Sequence, residues 1–172
     1  MIPKMIKYIL LILFMSGNVC FGQEQKHRKV DIELGAGITF GAVKYSGYSS
    51  GIGPSMKLEG RYNFENKPID VGLQIARWGI IRNDDPSNKD IITNDVNSFL
   101  LVGDYQFQKG KRVNPYAGLG VGIIGSDWSS SIYTCVAPRI GVRFFNHLNL
   151  HLDYKIANRA DRHASLCLGF YF

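Results

Sequence analysis

The sequence predicts an all-β protein, an eight-stranded antiparallel up-and-down transmembrane β-barrel over residues 30–172. Three observations carry that reading. Eight segments alternate apolar and non-apolar residues with the period of two that a pleated strand imposes. The links between them alternate between long or polar and tight, as outer loops and periplasmic turns do. Acids and bases of both signs fall on the face opposite the apolar series, where they neutralise one another inside a narrow polar lumen.

The chain opens as an exported protein. Lys4 and Lys7 form a basic start, Ile9 to Met15 is an unbroken apolar run, and small residues from Ser16 to Gly22 precede the polar Gln23-Glu24-Gln25-Lys26. This is the layout of a secretory signal peptide over 1–22, its apolar run too short to span a bilayer. Cleavage is expected after Gly22, leaving 23–29 as a short periplasmic lead. Cys20 raises the alternative of a lipid-modified first residue, although Gly17-Asn18-Val19 before it is a poor match to a lipoprotein signal. Residues 1–22 hold two lysines and no acid, so their removal lowers the formal net charge from +6 to +4. The remaining positive charges are scattered among the alternating segments, which with the export signal excludes nucleic acid as a partner. Cys135 and Cys167 are the cysteines left; one disulfide or two isolated small core residues are both open.

The segments justify themselves in order. Val30 to Phe40 sets Val30, Ile32, Leu34, Ala36, Ile38 and Phe40 against Asp31, Glu33, Gly35, Gly37 and Thr39. Gly53 to Phe64 sets Met56, Leu58, Gly60, Tyr62 and Phe64 against Ser55, Lys57, Glu59, Arg61 and Asn63. Pro68 to Ile80 is rougher: Ile69, Val71, Leu73 and Ile75 oppose Asp70, Gly72 and Gln74, and the register near Arg77 and Trp78 stays open. Asn94 to Gln108 reads with Phe99, Leu101, Gly103, Tyr105 and Phe107 outward, which turns Asp104 and Gln106 inward beside two apolar neighbours.

The second half repeats the style. Arg112 to Ile124 opposes Val113, Pro115, Ala117, Leu119, Val121 and Ile123 to Asn114, Tyr116, Gly118, Gly120 and Gly122. Ile132 to Phe145 opposes Ile132, Val136, Ile140, Val142 and Phe144 to Tyr133, Cys135, Arg139, Gly141 and Arg143. His147 to Asn158 opposes Leu148, Leu150, Leu152, Tyr154 and Ile156 to His147, Asn149, His151, Asp153 and Lys155. His163 to Phe172 places Ala164, Leu166, Leu168, Phe170 and Phe172 opposite His163, Ser165, Cys167, Gly169 and Tyr171. Such a stretch is about the length that a tilted strand needs to cross the hydrocarbon region.

In lipid every backbone donor and acceptor must be paired internally, so these strands close on themselves. Reversed, with the apolar face inside, the same alternation gives a soluble ligand-binding calyx or a secreted sandwich. The membrane is favoured by the links, long or polar at 41–52, 81–93 and 125–131 but tight at 65–67, 109–111 and around Asn146. It is favoured also by aromatics at strand ends. Tyr62, Phe64, Tyr105, Phe107, Phe144 and Phe172 gather on the tight-turn side, and Phe40, Trp78, Trp128 and Tyr133 near the long loops, as two girdles would. Glycines at 35, 37, 118, 120, 122 and 141 fall on the lumen face, where a small barrel lacks room for a full layer of large side chains.

The signal segment ending Phe21-Gly22 before Gln23-Glu24, the run from Phe99 to Phe107, the run from Asn114 to Gly122, and the terminal Gly169-Phe170-Tyr171-Phe172 resemble the small outer-membrane barrels of the OmpA/OmpX-like superfamily, particularly their relatives in Bacteroidetes. The resemblance covers residues 30–172 and implies a bacterial outer-membrane location and outer-membrane lipids as surroundings. It also implies insertion by the barrel-assembly machinery through the strand ending in Phe172. A peptidoglycan-binding domain of the OmpA type is not expected after it. The superfamily spans structural, adhesive, channel-forming and enzymatic members, so the resemblance says little about activity. The expected role is structural, or binding through the loops at 41–52 and 81–93, in a monomer with no large pore, no cofactor and no catalytic or metal site.

The competing class is a lipid-modifying hydrolase of the outer membrane. His163-Ala164-Ser165 puts an imidazole and a hydroxyl on one strand face, with Asp153 or Asp161 as a possible orienting acid, an acyl-transfer arrangement. It loosely resembles the His-x-Ser of the lipid A deacylase PagL. Leu166 stands where that family has Asn, the motif falls at the chain's end, and no well-placed Glu follows. The pair also shares the lumen face of Gly169 and Tyr171, away from a lipid ester. His147 and His151, four apart on a strand, lie about 13 Å from each other, too far to hold one metal.

Overall fold

A computed structural model describes residues 28–43, 51–82, 92–126, 129–145, 147–157 and 161–172. The expected signal peptide and most of the lead, the tips of the outer loops, Trp128 and Asn146 lie outside the described residues. Eight strands follow in chain order: β1 (Val30–Val43), β2 (Gly51–Asn63), β3 (Ile69–Arg82), β4 (Ile92–Gln106), β5 (Val113–Ser126), β6 (Ser129–Phe144), β7 (Leu148–Ala157) and β8 (Asp161–Tyr171). Each pairs antiparallel with its sequence neighbours, and β1 pairs with β8 to close the barrel.

The polarity is inverted relative to a soluble protein. Burial alternates without a break along β2 and β7, with Ser55, Lys57, Glu59 and Arg61 inside and Met56, Leu58 and Tyr62 outside. Apolar side chains are exposed on every strand, from Leu34 on β1 through Leu73, Leu101, Leu119, Ile140 and Leu152 to Leu168 on β8. A continuous apolar shell far exceeds the few hundred Å² that a soluble monomer tolerates. The calyx and sandwich alternatives fail here, because they require the apolar face inside. Lipid is the medium that this surface fits.

The strands are longer at the outer end than alternation alone suggests. β1 runs to Val43 and β2 restarts at Gly51, β3 runs to Arg82 and β4 restarts at Ile92, and β5 and β6 leave only residues 127–128 between them. Ladder pairs such as Gly41↔Gly51 and Arg82↔Ile92 extend the sheet where the apolar pattern has stopped. Ladder hydrogen bonds need backbone rather than side-chain polarity, so the link expected at 125–131 is mostly strand, with a register shift at Gly125 and Ser126.

Trp78, expected in the outer girdle, turns inward, and Tyr133, also placed in that girdle, follows instead the polar face on which its strand's alternation put it. Trp78 continues the inward series of Gln74 and Ala76 and is 1% exposed. Arg77 faces outward instead and pairs with Asp95 at 2.6 Å. Tyr133 is half-buried against the lumen core beside Cys135. The tight-turn girdle is as expected, with Tyr62, Phe64, Tyr105, Phe107 and Phe172 outward. The turns there are closed by Lys67 N–H to Phe64 O (3.3 Å), Lys111 N–H to Gln108 O (3.1 Å) and His147 N–H to Phe144 O (3.1 Å). Gly110 supplies the left-handed backbone of the second turn (φ 83°), and Phe145 adopts it in the third (φ 52°).

Candidate functional site

The side chains with chemistry to offer converge in the lumen. Five carboxylates (Glu33, Glu59, Asp70, Asp104, Asp153) and five cations (Lys57, Arg61, Arg139, Arg143, Lys155) are buried there among the described residues. Each sits at an inward position of its strand, so the pleat alone puts it inside. Burial makes any unpaired member costly, and the network pairs them by sign.

Glu59 on β2 is the hub of the half nearest the tight turns. It accepts from Arg61 Nε, from Arg139 Nη2 at 3.0 and 3.1 Å, and from Gln74 Nε2 at 3.0 Å. Glu33 takes Lys57 Nζ at 2.6 Å, Arg61 Nη2 at 3.2 Å and the Asn149 amide at 3.1 and 3.0 Å. Asp104 faces Arg61 Nη1 and Arg139 Nε, each at 3.2 Å. Nearer the rim, Asp70 accepts from Arg143 Nη2 at 2.7 Å and from Gln106, which in turn accepts from Asn114 Nδ2 at 2.6 Å. Tyr116 is the apolar post of this half. Arg61 and Arg143 each lie 5.3 Å from its ring centroid, and its hydroxyl accepts from Asn149 Nδ2 at 3.0 Å. Its cross-strand partner is Gly141, where a Cβ would come within 2.5 Å of the Tyr116 ring. The ring occupies the space a side chain at 141 would need.

His151 joins this network to the next layer. Lys57 Nζ donates to its Nδ1 at 3.0 Å, which leaves the Nε2 proton to be donated to Asp153 Oδ2 at 2.8 Å. Asp153 also receives Lys155, whose Nζ lies 5.0 Å from the Trp78 ring centroid. Beyond it, the half nearest the outer loops is filled by a compact apolar cluster. Trp78, Val96, Leu100, Val102, Ile124, Cys135 and three alanines (76, 137, 157) pack on the β3–β7 wall. Thr39, Ser55, His163, Ser165 and Cys167 line the wall formed by β8, β1 and β2.

The two candidate catalytic side chains are both inside, each 2% exposed, on the face expected. They serve different neighbours. Ser165 Oγ hydrogen-bonds Thr39 Oγ1 at 2.8 Å, while the His163 ring packs edge-on against Trp78 with centroids 5.3 Å apart. His163 Nδ1 has no hydrogen-bond partner among the described residues, and Asp153 is engaged by His151 and Lys155. The side chain of Asp161 lies outside the described residues. The acid, imidazole and hydroxyl are thus not joined into a relay.

Cys135 and Cys167 are buried free thiols, Cys167 Sγ lying 3.5 Å from Ser55 Oγ, so the reading as isolated small core residues holds. His147 bonds Phe145 O in a tight turn and His151 lies in the lumen, and no group of three potential metal ligands occurs among the described residues. The sequence put Tyr116, Asn149 and His151 on the polar face but gave no sign of their joining role. The glycine opposite Tyr116 was the available signal.

No family model matches the chain, and no curated protein matches it. Solved structures do. Neisserial surface protein A (NspA) is 17% identical with a TM-score of 0.60, covering 84% of this chain and 96% of that one. OprG from Pseudomonas aeruginosa is 13% identical with a TM-score of 0.55, covering 87% and 99%. Ail, the attachment invasion locus protein of Yersinia pestis, is 19% identical with a TM-score of 0.51, covering 84% and 100%. At these identities the likeness is one of fold, and it singles out neither the OmpA/OmpX branch nor Bacteroidetes. With the closed antiparallel sheet and the inverted polarity, it makes the chain a small eight-stranded β-barrel of the bacterial outer membrane.

Proposed function

We propose that this chain is a sealed, non-catalytic monomeric barrel whose role is structural or lies in binding through its outer loops, at 41–52 and 81–93. The observation that carries the reading is the lumen. The ionic layer and the apolar layer together occupy the interior that an eight-stranded barrel encloses, which is little more than side-chain volume. What remains to meet a partner is the surface at the loop end. The loop Asn83 to Asp90 is acidic and polar, and Gly41 to Ser50 sets Tyr45 and Tyr48 among glycines and serines. Ail is by its name an attachment protein, which is compatible with this role.

The signal peptide at 1–22, the lead at 23–29 and delivery to the assembly machinery through Phe172 belong to the same proposal. So does placement in the OmpA/OmpX-like superfamily of Bacteroidetes type, which rests on the motifs at 99–107, 114–122 and 169–172. Single-barrel conductance in planar bilayers tests the sealed lumen: small or no steps are expected, and large steps would refute it. Replacing both loops by short Gly/Ser turns tests the loops, and full rescue of every knockout phenotype by that variant would remove their role. Incubation of the refolded barrel with lipopolysaccharide, read by mass spectrometry, is expected to show no acyl loss. Acyl loss that disappears in Ser165→Ala and in His163→Ala would move the protein to the deacylase class.

A further inference from the structure

The tight-turn end of the barrel carries a basic arc that the packing of the fold does not require. Arg28, Lys29, Lys67, Lys111 and Arg112 are exposed there, and Lys109 is half-buried between them. Among the described residues of that rim the acids not fully buried are Glu65, paired with Lys29 at 3.2 Å, and the half-buried Asp31, while Asp70 is buried inside it on Arg143. Positive charge is expected to be scattered among the alternating segments, but these six cations lie in the lead and the tight turns, which the fold brings to one end. The lead is tied to the end of β2 by Asn63 N–H to Lys29 O (2.8 Å). Lys109 Nζ reaches across to the neighbouring turn and donates to Lys67 O (2.7 Å) and Phe64 O. Arg112 O accepts from Phe145 N–H of the next turn at 2.7 Å. These bonds tie together the lead and the turns that carry the cations.

Directly above the band stands the aromatic girdle, with Tyr62 edge-on to Phe64 (5.1 Å) and Tyr105 edge-on to Phe107 (5.4 Å). Amphipathic rings of this kind sit at the level of the lipid head groups. Lys67 and Lys111 are exposed and lie within four residues of girdle aromatics in sequence, which places them at the border of the head-group level, while the Lys109 ammonium is held by the turn carbonyls of Phe64 and Lys67 and adds its charge from behind them. Short turns mark the periplasmic side. We infer that this rim is a binding surface for the phosphates of anionic phospholipids in the periplasmic leaflet, gathered by the arc from Arg28 to Arg112 beneath the girdle. The inference rests on the membrane reading above and adds to it a class of lipid and a side. An exposed cation beside a bilayer attracts anionic lipid by about fivefold at low salt, and several along one arc act on the same annulus.

The full chain is placed in nanodiscs of equal phosphatidylcholine and phosphatidylglycerol, and the lipids that stay on the protein are counted by native mass spectrometry. Heat-modifiable mobility first reports insertion, and a chain that inserts into no bilayer refutes the membrane reading itself. For the inserted barrel, retained phosphatidylglycerol is expected to exceed phosphatidylcholine about fivefold or more near 0.01 M salt. The excess should collapse near 1 M, where the screening length falls to roughly 3 Å. Lys67→Gln/Lys111→Gln/Arg112→Gln should move retention clearly toward the bulk ratio, whereas Arg162→Gln, exposed at the other end of the barrel, should leave it unchanged. If the triple variant does not insert, the salt series on the unmodified chain decides alone. An inserted barrel with no excess, an excess undiminished by the triple variant or by high salt, or charge-dependent binding to washed peptidoglycan sacculi in its place would overturn the inference.

Discussion

The two halves of the lumen fill the same tube by opposite means. Toward the tight turns the interior is ionic, with Glu59 touched by Arg61, Arg139 and Gln74. Toward the loops it is apolar, with Trp78, Leu100 and Ile124 packed as in a soluble core. A lipid-facing shell explains why both are admissible. The hydrophobic effect does not favour apolar residues inside over outside when the outside is hydrocarbon. What the interior must do is exclude voids and leave no charge unpaired. The ionic half meets the second demand by directed bonds whose loss strands a partner, the apolar half the first by volume, and they should fail differently.

The largest effect is expected where one deletion strands several charges. Glu59→Ala removes the shared acceptor of Arg61 and Arg139, and should destabilise the barrel by about 3–5 kcal/mol, read as a lower denaturant midpoint of the heat-modifiable folded band. Trp78→Ala empties the apolar half and should cost about 3 kcal/mol by the same measurement. Trp78→Phe should recover most of that, since volume rather than a bond is lost. A Trp78→Phe variant as unstable as Trp78→Ala would break the contrast. At the rim, Asp70 and Arg143 meet at 2.7 Å, and a double-mutant cycle through Asp70→Ala and Arg143→Ala should give a coupling of about 2 kcal/mol. Coupling near zero would mean that the pair is solvated from the turns. The smallest effect belongs to Ser165→Ala. It deletes one neutral hydrogen bond to Thr39 and should shift stability by about 1 kcal/mol or less; a shift as large as that of Glu59→Ala would show that the hydroxyls on that wall belong to the ionic network.

Alternation made the strands and their facing legible from the sequence. Asp104 and Gln106 are inside with Leu100 and Val102, and His163 and Ser165 share the lumen. Strand ends were less legible. Ladder pairs such as Ile81↔Thr93 depend on backbone from both arms of a hairpin across a polar link, which no single segment displays. The register at Trp78 stayed open, and its place in the outer girdle was wrong, because the outward neighbour that breaks the apolar series, Arg77, is satisfied by Asp95 on another strand. The pairing inside the lumen was not legible at all. That Lys57 on β2 meets His151 on β7 follows from closure and register, which set the contacts across the tube, while composition supplies only the balance of sign.

The seam between β1 and β8 has a consequence for assembly. Its ladder joins residues from opposite ends of the barrel sequence, such as Thr39 with Ser165 and Gly35 with Gly169, and a Cβ at Gly37 would overlap the β8 backbone at Leu166. Every other pairing joins chain neighbours and zips locally, whereas this one must wait for the widest loop in the molecule to close. The last ladder to form is thus also a closely fitted one, as the β4–β5 ladder is at Gly122. A side chain at Gly37 that weakened the seam only after closure would speed unfolding, whereas one that hindered the meeting of the strands would slow folding. The seam behaves as a latch that engages once and engages last, so the rate at which two free edges find register governs how long the unfinished sheet stays exposed to mispairing.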